Sequence, residues 1–181
     1  MNKNNDFQSL HLITSLNTGG AEGALYNYIK FSKYNHVVIC LMQKGHYGKK
    51  LEIETKNKII SLNLKKNIFS LIFSIFTLIK IIKKYKISKL YCWMYHSCFL
   101  SIILRIFKKI KIVWMIRHGH SNIHHMKMLT YLIVILLKHF QFLINKIIYN
   151  SQRSKIDHER FGFKDKNSYV INNGYDETKF Y

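Results

Sequence analysis

The sequence predicts an α/β fold in which one mostly parallel, doubly wound sheet of about seven strands carries helices on both faces. Three observations support this prediction. Short apolar runs recur along the 181 residues, segments with helical spacing separate most of these runs, and the apolar fraction of 48% can build one sizeable core. Strands that are joined by helix-length crossovers run parallel. We therefore expect a single domain.

The apolar runs and the segments between them give the predicted elements in order. Seven runs read as strands because each is short and rich in β-branched or aromatic residues. Five longer segments have the spacing of amphipathic or buried helices, whereas the connection 43–57 is less regular. The predicted strands are 10–16, 36–42, 58–62, 90–95, 111–116, 146–149 and 168–171, and the predicted helices are 21–31, 68–85, 98–108, 126–143 and 151–161.

Charge and cysteine content suggest partners and a compartment. Lys and Arg outnumber Asp and Glu by 29 to 9, and the resulting charge of +20 favours polyanions such as nucleic acid or anionic lipid, although a compositional bias toward lysine would have the same effect. The three cysteines, Cys40, Cys92 and Cys98, lack metal-site or disulfide-framework spacing, which indicates a reducing compartment. The polar first ten residues do not resemble a signal peptide. We expect a cytoplasmic protein.

The segment NTGGAEG (17–23) follows the first predicted strand and opens the first predicted helix. Glycines allow positive φ and let a ligand approach the backbone, and the free amides of a helix N-terminus attract phosphate. The spacing is not that of the dinucleotide-binding fingerprint. Two interpretations are therefore open, a phosphate-binding turn and a tight turn without a ligand.

Four segments in order resemble the family-four retaining glycosyltransferases, which have two Rossmann-like domains facing across a cleft. They are LITSLNTGGAE (12–22), IVWMIRH (112–118), IIYNS (147–151) and VINNGYDETKF (170–180). The resemblance implies a Rossmann-like domain over 1–172, with 173–181 as the start of a linker to a donor-binding domain. Because the sequence ends at Tyr181, we expect only the acceptor-side half of such an enzyme, inactive alone.

The resemblance also implies roles for residues at predicted strand ends. Gly19 and Gly20 would approach the donor diphosphate, and Gly23 stands where the family often has a basic residue. His118 would be catalytic, near the reacting sugar, and Arg117 would hold a phosphate or orient His118. The alternative for both is that they only close the end of the strand.

Glu22 and four further residues complete the candidate substrate-binding set. Glu22 either contacts the acceptor or complements the helix dipole. Asn150 and Ser151 end a strand, and Ser151 could equally serve as a helix N-cap, which we favour. Asn173 and Gly174 belong to a hinge loop, with Gly174 expected in left-handed geometry.

No metal or other cofactor is expected, and the nucleotide sugar is a co-substrate. The cluster HGHSNIHH (118–125) is rich in histidine but has no neighbouring carboxylate or cysteine, so a polar loop is favoured over a metal site.

The expected function is sugar transfer to a glycan or lipid-linked acceptor in surface polysaccharide or glycolipid synthesis. The apolar runs 68–79 and 128–137 are too short to span a bilayer, and we expect buried helices, with interfacial helices as the alternative. Lysines at both ends of the first run would suit an anionic inner membrane face. The alternative function is a non-catalytic basic domain that binds nucleic acid or anionic membrane, although no nucleic-acid-binding motif is present.

Overall fold

The computed structural model describes residues 7–65, 67–107, 109–118 and 126–174. These residues form one sheet of seven parallel strands in the order β3-β2-β1-β4-β5-β6-β7, which confirms the predicted doubly wound fold. The strands are β1 (Ser9–Ile13), β2 (His36–Cys40), β3 (Lys58–Ser61), β4 (Lys89–Trp93), β5 (Lys111–Ile116), β6 (Lys146–Tyr149) and β7 (Ser168–Val170).

Helices connect the strands and cover both faces of the sheet. Within the described residues they are α1 (Gly20–Lys30), α2 (Gly45–Glu54), α3 (Ile68–Lys84), α4 (Met94–Phe107), α5 (Met128–Phe140) and α6 (Gln152–Phe161), and a short 3-10 turn, Gln141–Leu143, follows α5. Helices α1 and α2 pack on one face, where Leu25, Ile29 and Leu51 contact the sheet. Helices α3 to α6 pack on the opposite face, which holds the larger core.

Successive side chains of each strand point to opposite faces of the sheet, so the strands contribute to the cores on both faces. Leu90 and Cys92 of β4 belong to the larger core, whereas Trp93 of the same strand packs with α1. Because both faces are covered, β1 and β2 are buried along their whole length. The strand order reverses between β1 and β4, so a crevice opens there at the carboxyl edge of the sheet.

Three local predictions need correction. The connection 43–57 contains a regular helix, α2. Helix α4 begins at Met94 directly after β4, four residues earlier than predicted, and Met94 has φ of 67°. Helices α3 and α5 are not buried helices, because much of the first half of each faces outward. The buried residues are Ser74, Leu78 and Ile82 in α3 and Ile133, Val134 and Leu137 in α5.

Helix ends in this proline-free chain depend on side-chain caps and glycine. Asn67 caps α3 by accepting a hydrogen bond from the amide of Ser70 at 2.7 Å. Gly162 ends α6 with φ of 108°, a conformation that favours glycine. In the part of the chain that the structure describes, no helix combines the length and apolarity required to cross a membrane.

Candidate functional site

The predicted site residues lie where strands end at the carboxyl edge of the sheet. Gly19 and Gly20 follow β1, Arg117 and His118 follow β5, and Asn150 and Ser151 follow β6. Asn173 and Gly174 lie beyond β7. Because the strands are parallel, all of these loops emerge at one edge, which is the usual ligand-binding edge of an open α/β sheet.

The turn between β1 and α1 uses its glycines differently from the prediction. Gly19 is extended, with φ of −179° and ψ of 169°, and Gly20 is the first residue of α1. Positive φ occurs at neither glycine, so that part of the prediction was wrong. The first hydrogen bond of the helix runs from the amide of Gly23 to the carbonyl of Gly19 at 2.9 Å. The amides before Gly23 therefore lack partners within the helix and remain suited to an anion.

The missing side chain of Gly19 leaves room for the carboxylate of Glu22. A Cβ at this position would collide with the carboxylate of Glu22, which folds back over the start of the helix. A carboxylate there complements the positive end of the helix dipole. This is the structural role that the sequence analysis offered for Glu22 as the alternative to acceptor binding. It also lies on the path by which a phosphate would approach Gly19. A Cβ at Gly20 would meet no atom within 4 Å, so the approach to Gly20 is open.

Gly45 was missed by the sequence analysis and supports this turn from behind. Its φ is 63°, and a Cβ would lie 2.6 Å from both the amide of Asn17 and the carbonyl of Leu16. The amide of Tyr47 donates to the same Leu16 carbonyl at 2.9 Å. The start of α2 thus fixes the loop that leads into Gly19. The glycine itself was visible in the sequence, but no local pattern shows that its neighbour is the β1–α1 loop.

Arg117 lies on the α1 face and connects β5 to the segment after β7. It donates from Nη1 to the carbonyl of Ile171 at 2.8 Å and to Oδ1 of Asn173 at 2.9 Å. Its guanidinium lies over the ring of Trp93, 5.4 Å from the centroid. Burial lowers the pKa of Arg117 from its usual value, and its Nε has no hydrogen-bond partner. The arrangement favours the role of closing the strand end.

A pocket of about 340 Å³ opens beside Arg117 on the same face. Trp93, Asn27 and Tyr28 line it together with residues 171–174. Asn27 donates to the carbonyl of Gly174 at 3.4 Å, so α1 contacts the segment beyond β7. Gly174 has no left-handed φ, which makes that expectation wrong. Asn173 and Gly174 are thus brought to Arg117, and residues 175–181 lie outside the described part.

His118 lies on the opposite face of the sheet from Arg117. Its ring meets the ring of Tyr95 edge-on, with centroids 6.0 Å apart. Its carbonyl accepts a hydrogen bond from Oγ of Ser154 at 2.6 Å. His158 donates from Nδ1 to the Ser154 carbonyl at 2.7 Å, and its Nε2 accepts from the Tyr95 hydroxyl at 2.9 Å. This network from α4 and α6 holds the backbone and the ring of His118 in place.

Asn150 and Ser151 have different surroundings at the end of β6. Ser151 is the N-cap of α6, because its Oγ accepts from the amide of Ser154 at 3.1 Å. The predicted capping role is therefore present. The side-chain oxygen of Asn150 is buried and has no hydrogen-bond partner, so Asn150 is the member of the pair whose side chain retains an unused acceptor.

The junction of β4 and α4 is a second feature that the sequence analysis missed. The strand passes into the helix at Met94, whose left-handed φ is unusual for a residue with a side chain. His96 is exposed in the first turn of that helix, beside the crevice between β1 and β4. The sequence signal was the pair His96 and Ser97, two polar residues shortly after the apolar strand.

A buried polar network lies behind the site on the α1 face. Trp93 donates from its indole nitrogen to Nδ1 of His11 at 3.1 Å, so the proton of His11 resides on Nε2 and is donated to Ser9 Oγ, also at 3.1 Å. Ser9 Oγ contacts Nδ1 of His36 at 2.9 Å. Burial, and secondly the charge of His36, lowers the pKa of His11 well below its ordinary value. The orientation of Trp93 beneath Arg117 is therefore set by a neutral His11.

The structure describes His118 alone of the histidine-rich cluster, since residues 119–125 lie outside the described part. Among the described residues, no group of three His, Cys, Asp or Glu side chains could hold a metal ion.

Comparisons with known proteins identify a family. The family model described as Glycosyltransferase Family 4 matches residues 19–179. A search of curated protein sequences found no significant match. Among solved structures, HepE from Anabaena in complex with UDP is 19% identical with a TM-score of 0.74, and the match covers 95% of this chain and 45% of HepE.

Two other similar structures show how widely this fold is shared. The lipopolysaccharide outer core galactosyltransferase WaaB is 15% identical with a TM-score of 0.65, and the match covers 93% of this chain and 46% of WaaB. The UDP-N-acetylglucosamine 2-epimerase from Rickettsia bellii is 14% identical with a TM-score of 0.64, and the match covers 92% of this chain and 45% of the epimerase. The chain thus spans about half the length of these structures.

Proposed function

Because this chain belongs to glycosyltransferase family 4, we propose that it is the N-terminal half of a retaining glycosyltransferase. The enzyme transfers a sugar from a nucleotide-sugar donor to a glycan or lipid-linked acceptor. The family match over residues 19–179 carries this proposal, since the fold alone is shared by a transferase and by an epimerase. The convergence of the predicted site residues at one sheet edge supports it.

The chemistry assigned to this half is electrostatic. In the proposed reaction, negative charge develops on the leaving diphosphate and positive charge on the transferred sugar. The amides at the start of α1, from Gly20 onward, are placed to attract the diphosphate, and no side chain crowds Gly20. Glu22 lies beside this approach, so we assign it to the helix dipole or to an acceptor hydroxyl rather than to the phosphate.

His118 is the residue to which we assign contact with the reacting sugar. Its position after β5 is held by Ser154 and Tyr95, which keeps the imidazole at the carboxyl edge. A neutral imidazole can accept a hydrogen bond from an acceptor hydroxyl or donate one to the sugar. Arg117, on the other face, positions the segment 171–174 and is assigned an orienting role.

The acceptor and the cellular location are proposed from chemistry rather than from geometry. HepE was solved with UDP and UDP-glucose, and WaaB is named as a lipopolysaccharide galactosyltransferase. We propose a nucleotide sugar as donor here, without a metal, and a surface polysaccharide or glycolipid as product. The charge of +20 supports work at the anionic cytoplasmic face of a membrane.

A test joins this chain to the donor-binding domain of another family-four glycosyltransferase. The 181-residue chain alone is expected to give no turnover with nucleotide sugars, and the joined protein is expected to transfer sugar with retention of anomeric configuration, read by NMR. Inversion at C2 of UDP-N-acetylglucosamine without transfer would instead identify an epimerase. Turnover by the chain alone would contradict the assignment of most donor contacts to another domain.

A further inference from the structure

The outer faces of α3 and α5 expose an unusual number of large apolar side chains. On α3, Phe69 is 80% exposed and Phe73 is 70% exposed, and Leu129 on α5 is 65% exposed. Their spacing along each helix places them on one side. We call these residues the α3/α5 apolar face, and its members are Ile68, Phe69, Ile72, Phe73 and Phe76 on α3 with Met128, Leu129, Leu132 and Leu136 on α5.

Helices α3 and α5 belong to one helical layer and flank α4. Helix α4 contacts both α3 and α5 and is the most buried of the three. Helix α3 is anchored mainly by Leu78 and Ile82, and α5 by Val134 and Leu137, so each turns its opposite side away from the core. The exposed side chains are therefore not required by the core and form two apolar helix surfaces, one on each side of α4.

Charge is distributed unevenly along the chain. Residues 55–156, which include α3, α4 and α5, contain 19 Lys and Arg and no Asp or Glu, so nearly the whole charge of +20 arises there. The acidic residues that precede this span and are described, Glu22, Glu52 and Glu54, belong to α1 and α2 on the other face. On the same face, α6 carries Asp157 and Glu159, so the absence of acidic residues applies to α3, α4 and α5.

Exposed lysines lie at the ends of the apolar face. Lys65 precedes α3, Lys127 precedes α5, and Lys80 follows Phe76 by one helical turn. An apolar helical surface with basic side chains around it matches a bilayer interface, where apolar groups enter the acyl boundary and lysines contact anionic headgroups.

We propose that the α3/α5 apolar face binds an anionic lipid bilayer. The inference rests on the membrane location proposed above and assigns the surface that makes the contact. A second copy of the chain suits the face poorly, because two strongly basic layers would repel each other. Nucleic acid would be attracted by the charge but offers no apolar surface for these phenylalanine, isoleucine and leucine side chains.

The orientation that follows brings the candidate site near the membrane. Crossover helices run opposite to the strands, so the first turns of α3 and α5 lie at the carboxyl edge of the sheet. Most exposed residues of the α3/α5 apolar face belong to the first half of each helix. A bilayer bound there lies beside the edge that carries Gly20 and His118, which suits an acceptor attached to lipid.

The test measures binding of the 181-residue chain to vesicles by co-sedimentation. Vesicles of phosphatidylcholine with one quarter phosphatidylglycerol are compared with pure phosphatidylcholine. The double variant Phe69→Ser with Phe73→Ser is expected to weaken partitioning at least about 10-fold, because two aromatic side chains that would enter the bilayer are lost. The control changes Tyr34 and Ile53 to serine. These residues are also exposed, Ile53 at 86%, but Ile53 lies on α2 on the other side.

A second pair of variants separates local charge from total charge. Lys80→Glu with Lys127→Glu alters the proposed surface, and Lys49→Glu with Lys50→Glu alters α2 by the same net charge. The first pair is expected to reduce binding to anionic vesicles about 10-fold more than the second at low salt. Circular dichroism and thermal unfolding verify that every variant is folded.

Several outcomes would overturn the proposal. These are equal loss of vesicle binding in the α3 and control serine variants, binding to DNA but not to anionic vesicles, and a dimer that dissociates when Phe69 and Phe73 are changed while vesicle binding persists. Each would leave the glycosyl-transfer assignment untouched, because that assignment is tested by product analysis. Transfer activity without vesicle binding would reject the membrane surface alone.

Discussion

Individual residues at the carboxyl edge divide into those that shape the site and those placed to act in it. Gly45, Arg117 and Ser151 have structural partners that account for their identity. His118 lies at the carboxyl edge of the sheet, the buried side-chain oxygen of Asn150 has no hydrogen-bond partner, and the amides near Gly20 lack partners within α1. The second set is therefore where loss of function should separate from loss of stability.

Gly45→Ala should destabilise the protein by more than about 1 kcal/mol. The backbone φ of 63° disfavours a side chain, and a Cβ would contact the backbone of Leu16 and Asn17. Gly20→Ala is the matched control, since it lies in the first turn of α1 with free space and should be neutral or slightly stabilising. Urea unfolding of both variants provides the comparison, and equal stability would contradict the role given to Gly45.

His118→Ala should lower kcat about 100-fold or more in the protein that also carries a donor-binding domain. A contact made only in the transition state is lost, which corresponds to roughly 2.7 kcal/mol. Donor affinity and the melting temperature should change little. If His118 only closes the strand end, the melting temperature would fall and the activity of each folded molecule would stay normal. Steady-state kinetics and thermal unfolding on one preparation separate these outcomes.

Elements determine how the site residues are oriented. Helices α4 and α6 position His118 through Tyr95 and Ser154, whereas α1 and the segment after β7 enclose Arg117. Arg117 and His118 directly follow β5 and lie on opposite faces of the sheet, so these neighbours have separate surroundings. The start of α6 is important here, since its cap and its contact with His118 belong to the same turn.

Ser151→Ala should destabilise α6 by about 1 kcal/mol, because the cap to the amide of Ser154 is lost. Ser151→Asp should restore stability, since aspartate is an equally good cap. Thermal unfolding measures both effects. In the protein that carries a donor-binding domain, restored stability with lost activity would show that Ser151 also contacts substrate.

The whole molecule combines a basic, apolar layer on one face with neutral buried histidines inside. Burial is the leading cause that lowers the pKa of His11, His36 and His158 in the folded protein. Tyr28 and Tyr91 border His11, and burial raises the pKa of both, so neither carries charge near neutrality. The folded state thus holds these histidines uncharged.

Stability should therefore fall as the pH is lowered from 7 to 5. An unfolded histidine binds a proton near pH 6.5, whereas a folded-state pKa below this value leaves the folded histidine neutral. Each such residue then costs up to about 1.4 kcal/mol per pH unit until its folded pKa is reached. Melting temperatures across this range are the measurement. His11→Asn should flatten the dependence.

Much of the fold and part of the candidate site follow from the sequence. The alternation of apolar runs with helix-length segments predicted the sheet, and the strand ends predicted that Gly20, Arg117 and His118 share one edge. These properties are local, because strand length, helical period and crossover direction are determined by residues that are close together in the sequence.

The tertiary structure decided what local patterns cannot contain. It placed Gly45 against the loop of Leu16, gave Met94 its left-handed conformation, and folded Glu22 over Gly19. It also left the first half of α3 uncovered, although the same apolar period would suit a buried helix. Which side of a helix meets the core, and which backbone approaches which glycine, depends on contacts between segments far apart in the chain.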